Sequence, residues 1–330
     1  MRNSVSPFLP LFRTGLLAGA LACLSLAGHA QAQGGYPSKP ITLVVPFPAG
    51  GPTDASARLF AKTMAEDLGQ PIVIDNRAGA GGTVGSAAVA RAPADGYTLL
   101  WGGTSTLAVA PGLYKSLGYD ARSFVPIGMA LRGPMMLAGP PALQVKDVKQ
   151  LLALGRGKEL TIATAGNGSL GHLATEYLRE LSGMRLVHVP YRGGNPAIAD
   201  AVGGQVDLVF DTASALAPHI QSGRLRAYAV TGSKPFAPAP DVPLFTSTVP
   251  GYEVYSWFGP VAPAGTPPQA VKRLVDAMAK AAAAAEVQKQ LAVSGVEPGV
   301  ATPAEFARVI EQDAAKWSGT IVRAGVKLDQ

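Results

Sequence analysis

The sequence predicts an α/β protein of two lobes, each a mixed or parallel sheet flanked by helices, with a cleft and a hinge between them. Three observations predict it. Short apolar runs alternate with amphipathic helical patterns, the signature of βα units. Two such series occur, and helices are left over at the C-terminus to pack back on the first lobe. The length, 330 residues, suits about two domains of ordinary size. Lobe 1 reads as 36–138 plus 250–330 and lobe 2 as 139–249, with crossings near Gly139 and Val249. Two crossings make a hinge, and a cleft between lobes is a favoured ligand site.

In order, Ile41–Val45 reads as a buried strand and 46–53 as a loop. Residues 54–68 read as a helix with Ala57, Phe60, Ala61, Met64 and Leu68 on one face. A strand at 71–74, a Gly-rich loop at 76–82, a helix at 84–90 and a strand at 97–101 complete the first series. The second runs strand 160–165, helix 170–181, strand 186–190, helix 196–202, strand 206–210, helix 213–221 and strand 225–230. A Pro-rich ordered loop follows at 233–250, then a strand at 252–261 and helices at 268–285, 286–293 and 303–324.

Composition narrows the function classes. Hydrophobic residues make up 48% and charged residues 15%, which excludes a disordered polyelectrolyte. The net charge of +6 comes from scattered basic residues without a Lys/Arg run, so no nucleic-acid partner is expected. Arg2 and Arg13 precede an apolar stretch, Gly15 to Ala27, and an A-x-A site with Ala30 at −3 and Ala32 at −1. This reads as a cleaved signal peptide over 1–32 and a periplasmic destination. The single cysteine, Cys23, reads as part of that segment; a lipoprotein site there lacks the usual Leu three residues earlier. Without another cysteine, the chain beyond residue 32 has no thiol nucleophile, disulfide or Cys-ligated metal.

Three glycine-rich loops carry the chemistry. Pro46-Phe47-Pro48-Ala49-Gly50-Gly51-Pro52-Thr53-Asp54 joins a strand to a helix. At the carboxyl end of a strand, free N–H groups at a helix start suit an anion. A plain turn with Thr53 or Asp54 as N-cap explains the same residues equally well. Asn76-Arg77-Ala78-Gly79-Ala80-Gly81-Gly82 adds N–H donors at the same sheet edge. Gly166-Asn167-Gly168-Ser169-Leu170-Gly171 matches G-x-G-x-x-G between a strand and a helix, with Arg192 placed to suit a 2′-phosphate. That motif carries the alternative reading, a secreted NADP-type oxidoreductase or hydrolase.

Catalytic constellations are poor, so no enzyme, cofactor or metal site is expected. His172 could face the cleft, His188 reads as a satisfied core residue, and His219 as bonding carbonyls near a helix end. No HExxH or Cys/His set indicates zinc.

Taken together and in order, these segments resemble the substrate-binding component of tripartite tricarboxylate transporters, the Bug receptors, from about Tyr36 to the C-terminus. Further carriers are His188-Val189-Pro190-Tyr191-Arg192-Gly193-Gly194, Gly203-Gly204-Gln205-Val206-Asp207, Pro240-Asp241-Val242-Pro243 and Ala262-Pro263-Ala264-Gly265-Thr266-Pro267. The resemblance implies two lobes of the periplasmic-binding-protein type closing on a small carboxylate: a di- or tricarboxylate, an amino acid or an aromatic acid. It also implies backbone N–H recognition and delivery to membrane permease subunits, the receptor itself being a monomer. Carried over, the first loop contributes Phe47, Pro48, Ala49, Gly50, Gly51 and Asp54, and the loop after the third strand Thr104. The second lobe contributes Asn167, Gly168, Ser169, His172, Tyr191, Arg192 and Asp211. This chain departs from the family at Leu244 and Ala239, and Arg192 replaces a common Lys. For Asp211 two readings stand open: N-cap of the helix 213–221, or receiver of a cation such as the ammonium of an amino acid.

Overall fold

A computed structural model describes residues 35–299 and 302–327, with Met1, Asn3 and Ser4. The segment read as a signal peptide lies outside the described residues apart from Met1, Asn3 and Ser4, and so do Cys23, Ala30 and Ala32.

Strands β1 (Ile41–Val45), β2 (Ile72–Asn76) and β3 (Thr98–Gly103) pair in parallel, with β1 between the other two. β1 is apolar but for Thr42, as befits a strand flanked on both sides. Helix α1 (Pro52–Leu68) lays Ala57, Phe60, Ala61, Met64 and Leu68 on the core, starts with a proline in its first turn and stops at Gly69 in the left-handed region. Helix α2 (Thr83–Ala90) follows β2. A π-helical turn (Thr104–Val109) and the short α3 (Ala110–Leu113) follow β3.

After β4 (Phe124–Pro126) comes β5 (Leu131–Gly139), a strand the sequence reading lacks. Its pattern is broken by Gly133-Pro134, residues that argue against a strand interior. Residues 131–134 pair with β10 (Tyr255–Pro263), whereas 135–138 pair with β8 (Leu208–Thr212). The strand thus leaves one sheet for the other between Pro134 and Met135, and Gly139 is its last residue.

The second sheet sets β6 (Leu160–Thr164) in parallel between β7 (Leu186–Pro190) and β8, with β9 (Arg226–Val230) antiparallel to β5. Its helices are α4 (Val148–Gly157), also absent from the sequence reading, α5 (Leu170–Ser182), α6 (Gly194–Val202) and α7 (Ala213–Gln221). The chain returns to the first sheet as β10 and ends in α8 (Pro268–Ala283), α9 (Ala285–Val293), the short β11 (Glu297–Pro298) and α10 (Pro303–Ala324). The strand order is β2-β1-β3-β10-β5-β8-β6-β7, so only β5 and β10 sit where the two sheets join.

One apolar core runs under both sheets, from Leu100 and Leu107 through Trp257 and Tyr252 to Phe210 and Leu173. α10 ties the lobes on this side. It packs on α5, where Arg323 pairs with Glu180, and Trp317 meets Tyr177 edge-on. Two further cores fill the remaining faces, one around Phe60, Trp101 and Leu274, the other around Ile198, Val209 and Leu216.

Candidate functional site

Carboxyl ends of strands from both sheets converge on a cavity of about 80 Å³. Phe47, Pro48, Gly51, Pro52 and Thr53 supply one wall, Ser105 another, and Ala165, Ser169, Leu170 and Gly171 a third. Gly193, Gly194, Asn195, Pro196, Phe210, Asp211 and Thr212 close it from the second sheet, with Met135, Ser256 and Phe258 from the joining strands as its floor. Gly51, Pro52, Asn195, Thr212, Ser256 and Phe258 also line a groove of about 950 Å³ that continues between α1, α6, α7 and α9.

The first loop is held from within. Gly50 takes φ +79°, which only glycine adopts without strain. Its N–H donates to Asp54 Oδ2 at 2.9 Å. Asp54 also accepts from Arg58 Nε at 2.9 Å and Asn76 Nδ2 at 3.0 Å, and the same Asn76 amide reaches the Phe47 carbonyl at 3.0 Å. Burial alone would raise the Asp54 pKa, but the bonds from Arg58, Gly50 and Asn76 outweigh it and hold the carboxyl low. Asp54 lines neither cavity and is a brace for the loop. It is not the N-cap either: Gly51 is, so α1 begins at the cavity with no side-chain cap on its free N–H groups.

Thr104 is likewise internal, its Oγ1 accepting the Trp257 N–H at 3.0 Å. The neighbouring Ser105 instead lines the cavity and accepts the Leu170 N–H at 2.9 Å, joining the loop after β3 to the start of α5.

In the loop 165–169, Gly166 (φ +126°) and Gly168 (φ +74°) shape the turn. Ser169 caps α5 by accepting the His172 N–H. His172 Nδ1 accepts the Gly168 N–H at 3.3 Å, and its ring stacks on His188 at 4.1 Å. Burial, with Arg179 adding to it, pushes His172 down to about 4. Burial and then His172 push His188 down to about 3. Both rings are therefore neutral at pH 7, and His172 supports the loop without lining the cavity. His188, half-buried, shares a 2.6 Å hydrogen bond with Thr164 Oγ1. His219 differs from its sequence reading: its Nδ1 is buried without a partner, at the wall of the large groove.

This loop offers no seat for a dinucleotide. A Cβ on Gly168 would lie 2.7 Å from the Tyr114 hydroxyl, and a Cβ on Gly81 would lie 2.6 Å from the Asn167 carbonyl. The Asn76–Gly82 loop and Tyr114 therefore cover the glycines that a pyrophosphate would need to approach.

Asn167 is exposed, and only its carbonyl is engaged, by the Tyr114 hydroxyl at 3.4 Å. Tyr191 donates to Asp200 at 2.7 Å, and that bond first, then burial, pushes its phenol up to about 12. Arg192 is exposed and lines neither cavity. Ala49 is exposed at the loop tip. Of the fourteen residues carried over, Phe47, Pro48, Gly51, Ser169 and Asp211 line the cavity, and Gly50 and Gly51 the groove. Sequence reasoning missed Ser105, Asn195, Thr212, Ser256 and Phe258. Gly193-Gly194 was visible as a motif, but nothing in it pointed at Asp211.

Asp211, 7% exposed, is the penultimate residue of β8 and lines the cavity. Burial pushes its carboxyl up to about 6 against the bonds from Thr212, which donate only to Oδ1. The native group therefore takes up a proton near pH 6, where the unfolded chain, at 3.8, does not. The contribution of Asp211 to stability should therefore rise as pH falls from 7 through 6 toward 4, by on the order of 2–3 kcal/mol, against the loss from His172 and His188, which the unfolded chain protonates first. Thermal melts of the wild type and Asp211→Asn across that range measure it, and the variant should lose more stability than the wild type as the pH falls. A variant with the same pH profile as the wild type would show that another group is responsible.

The chain matches the model of the tripartite tricarboxylate transporter family receptor over residues 56–326. It is similar to the solved periplasmic binding protein BugD, with 36% identity, a TM-score of 0.84, and 88% of this chain and 99% of that one covered. It is similar to a Rhodopseudomonas palustris protein solved with adipate, with 35% identity, a TM-score of 0.84, and coverage of 88% and 99%. It is also similar to MatC of Rhodopseudomonas palustris with bound malate, with 32% identity, a TM-score of 0.81, and coverage of 87% and 100%.

Proposed function

Because the chain belongs to the tripartite tricarboxylate transporter receptor family, we propose that it captures a small carboxylate in the cavity between its lobes and delivers it to membrane permease subunits in the periplasm. The family and these solved relatives are solute-binding proteins, so the chain is a receptor and not an enzyme. The observation that carries the ligand reading is the cavity wall. It joins the uncapped start of α1 to the start of α5 and the uncapped start of α6, all at the carboxyl ends of strands. Helix starts with free N–H groups attract an anion without a charged side chain. Adipate and malate on the relatives support a carboxylate as that anion.

In this reading 36–138 with 250–330 and 139–249 are the bodies that close, hinged at β5 and β10. The N-terminal segment 1–32 is the export signal, and the receptor acts as a monomer.

A thermal-shift screen of mono-, di- and tricarboxylates, amino acids and aromatic acids tests the ligand class. A true ligand near 100 Kd should stabilise the protein by roughly 2.7 kcal/mol. Stabilisation by sugars or cations alone, with none by any carboxylate, would overturn the reading.

A further inference from the structure

We propose that Asp211 makes this receptor selective for amino acids, its free carboxylate oxygen receiving the ligand's ammonium while the helix starts hold the ligand's carboxylate. This rests on the receptor reading and narrows its ligand class.

Four observations carry it. First, Asp211 is not a cap. The N-cap of α7 is Thr212, and no α7 N–H donates to Asp211; only the backbone and hydroxyl of Thr212 itself reach Oδ1. Second, Oδ2 is buried and has no hydrogen-bond partner. A buried carboxylate oxygen without a donor is costly to maintain, and such atoms in folded proteins call for an explanation. Third, the surrounding backbone is shaped around that oxygen. A Cβ on Gly194 would lie 2.4 Å from Oδ2, so the first residue of α6 has to lack a side chain for the carboxylate to sit there. Fourth, among the described residues Asp211 is the only ionisable one lining the cavity. Lys and Arg are absent from its walls, and the nearest candidate by sequence, Arg192, lies outside it.

These facts decide between ligand charges. A plain dicarboxylate would bring further negative charge into a cavity whose described lining holds an acid and no base. Like charges in such surroundings repel, and one of them would have to take up a proton. A zwitterion brings its own cation. Its ammonium supplies the donor that Oδ2 lacks, and a charge-assisted bond of this kind is stronger than a neutral one.

Calorimetry with ligand pairs that differ only by the α-amino group tests the assignment: alanine with propionate, aspartate with succinate, glutamate with glutarate. The wild type should prefer the amino member of at least one pair by tenfold or more. Asp211→Asn should weaken that member roughly ten- to hundredfold, the range for a hydrogen bond to a charged group. The plain acid should bind equally well or better. Gly194→Ala, which presses on Oδ2 without changing charge, should erode the same preference. Circular dichroism would establish that both variants fold. If Asp211→Asn shifts both members of each pair equally, or the preference survives it, the selectivity does not reside in Asp211. If the wild type prefers the plain acids, the receptor reading stands and this inference falls. If no member of any pair and no other carboxylate binds the wild type, both fall together.

Discussion

Gly81→Val should lower carboxylate affinity by roughly five- to a hundredfold. Gly81 belongs to the loop after β2, and the position of its Cβ would lie 2.6 Å from the Asn167 carbonyl oxygen and 3.1 Å from the Gly168 carbonyl carbon. These belong to the loop after β6, on the other sheet. Real Cβ atoms essentially never come that close to backbone, and neither loop has a flexible side chain there to yield. The two loops therefore meet only because position 81 has no side chain. Valine adds three carbons at that point. Overpacking of this kind costs about 1–3 kcal/mol, and in the proposed reading of two lobes that close, the cost falls on the arrangement in which the loops touch. On that reading an open receptor escapes it. The penalty thus appears as lost affinity, at 1.4 kcal/mol per tenfold. The backbone at Gly81 also takes φ +63°, which valine tolerates poorly. That strain is present open or closed and should lower the melting temperature without touching affinity. Calorimetry with a ligand from the screen and small-angle scattering with and without it separate the two effects. Affinity within threefold of the wild type, with normal compaction on binding, would mean that the loops need not meet.

The same pair of loops marks what a sequence can and cannot convey. Both glycine runs are plain to see, and so is their place between a strand and a helix. Their mutual contact is not, because Gly81 and Asn167 are 86 positions apart and backbone-to-backbone contact leaves no side-chain pattern. Strands β1 and β6 are legible because parallel strands covered on both faces are predominantly apolar. β5 is not, because Gly133-Pro134 stands in its middle at the place where it changes sheets. The chemistry was legible by type and not by direction. Asp54 and His172, in the first turns of α1 and α5, and Tyr191, just after β7, adjoin the loops that build the site, yet each spends its polar atoms on a neighbour: Gly50 with Arg58 and Asn76, Gly168, and Asp200. Asp211 alone among the charged candidates reaches the cavity. Its sequence context, Asp-Thr-Ala-Ser, reads as a helix start, and the structure gives that capping position to the next residue.

Trp257→Ala should destabilise the protein by about 3–5 kcal/mol, the range for truncating a large buried aromatic, and lower its melting temperature by on the order of 10 °C. Trp257 lies in β10 where that strand bridges β3 and β5. The alternation of a strand sends Ser256 and Phe258 to the cavity and Trp257 to the opposite face. There it is 2% exposed and meets Phe306 edge-on at 5.4 Å. Its indole N–H donates to Asp313 Oδ2 at 2.6 Å. Burial raises the Asp313 pKa, and the indole bond is the main force opposing that rise, with Lys316 adding less. Trp257→Phe isolates this bond. It keeps most of the ring and leaves a buried carboxylate short of its donor, for a loss of about 1.5–3 kcal/mol. The Asp313 pKa should then climb further, so the native state binds a proton more readily than the unfolded chain does. The deficit of Trp257→Phe should therefore shrink as the pH is lowered, whereas the cavity left by Trp257→Ala should persist across the range. Urea melts of both variants at neutral and mildly acidic pH make the comparison. A melting temperature within about 3 °C of the wild type for Trp257→Ala would mean that β10 is held by its strand pairing and not by this side chain.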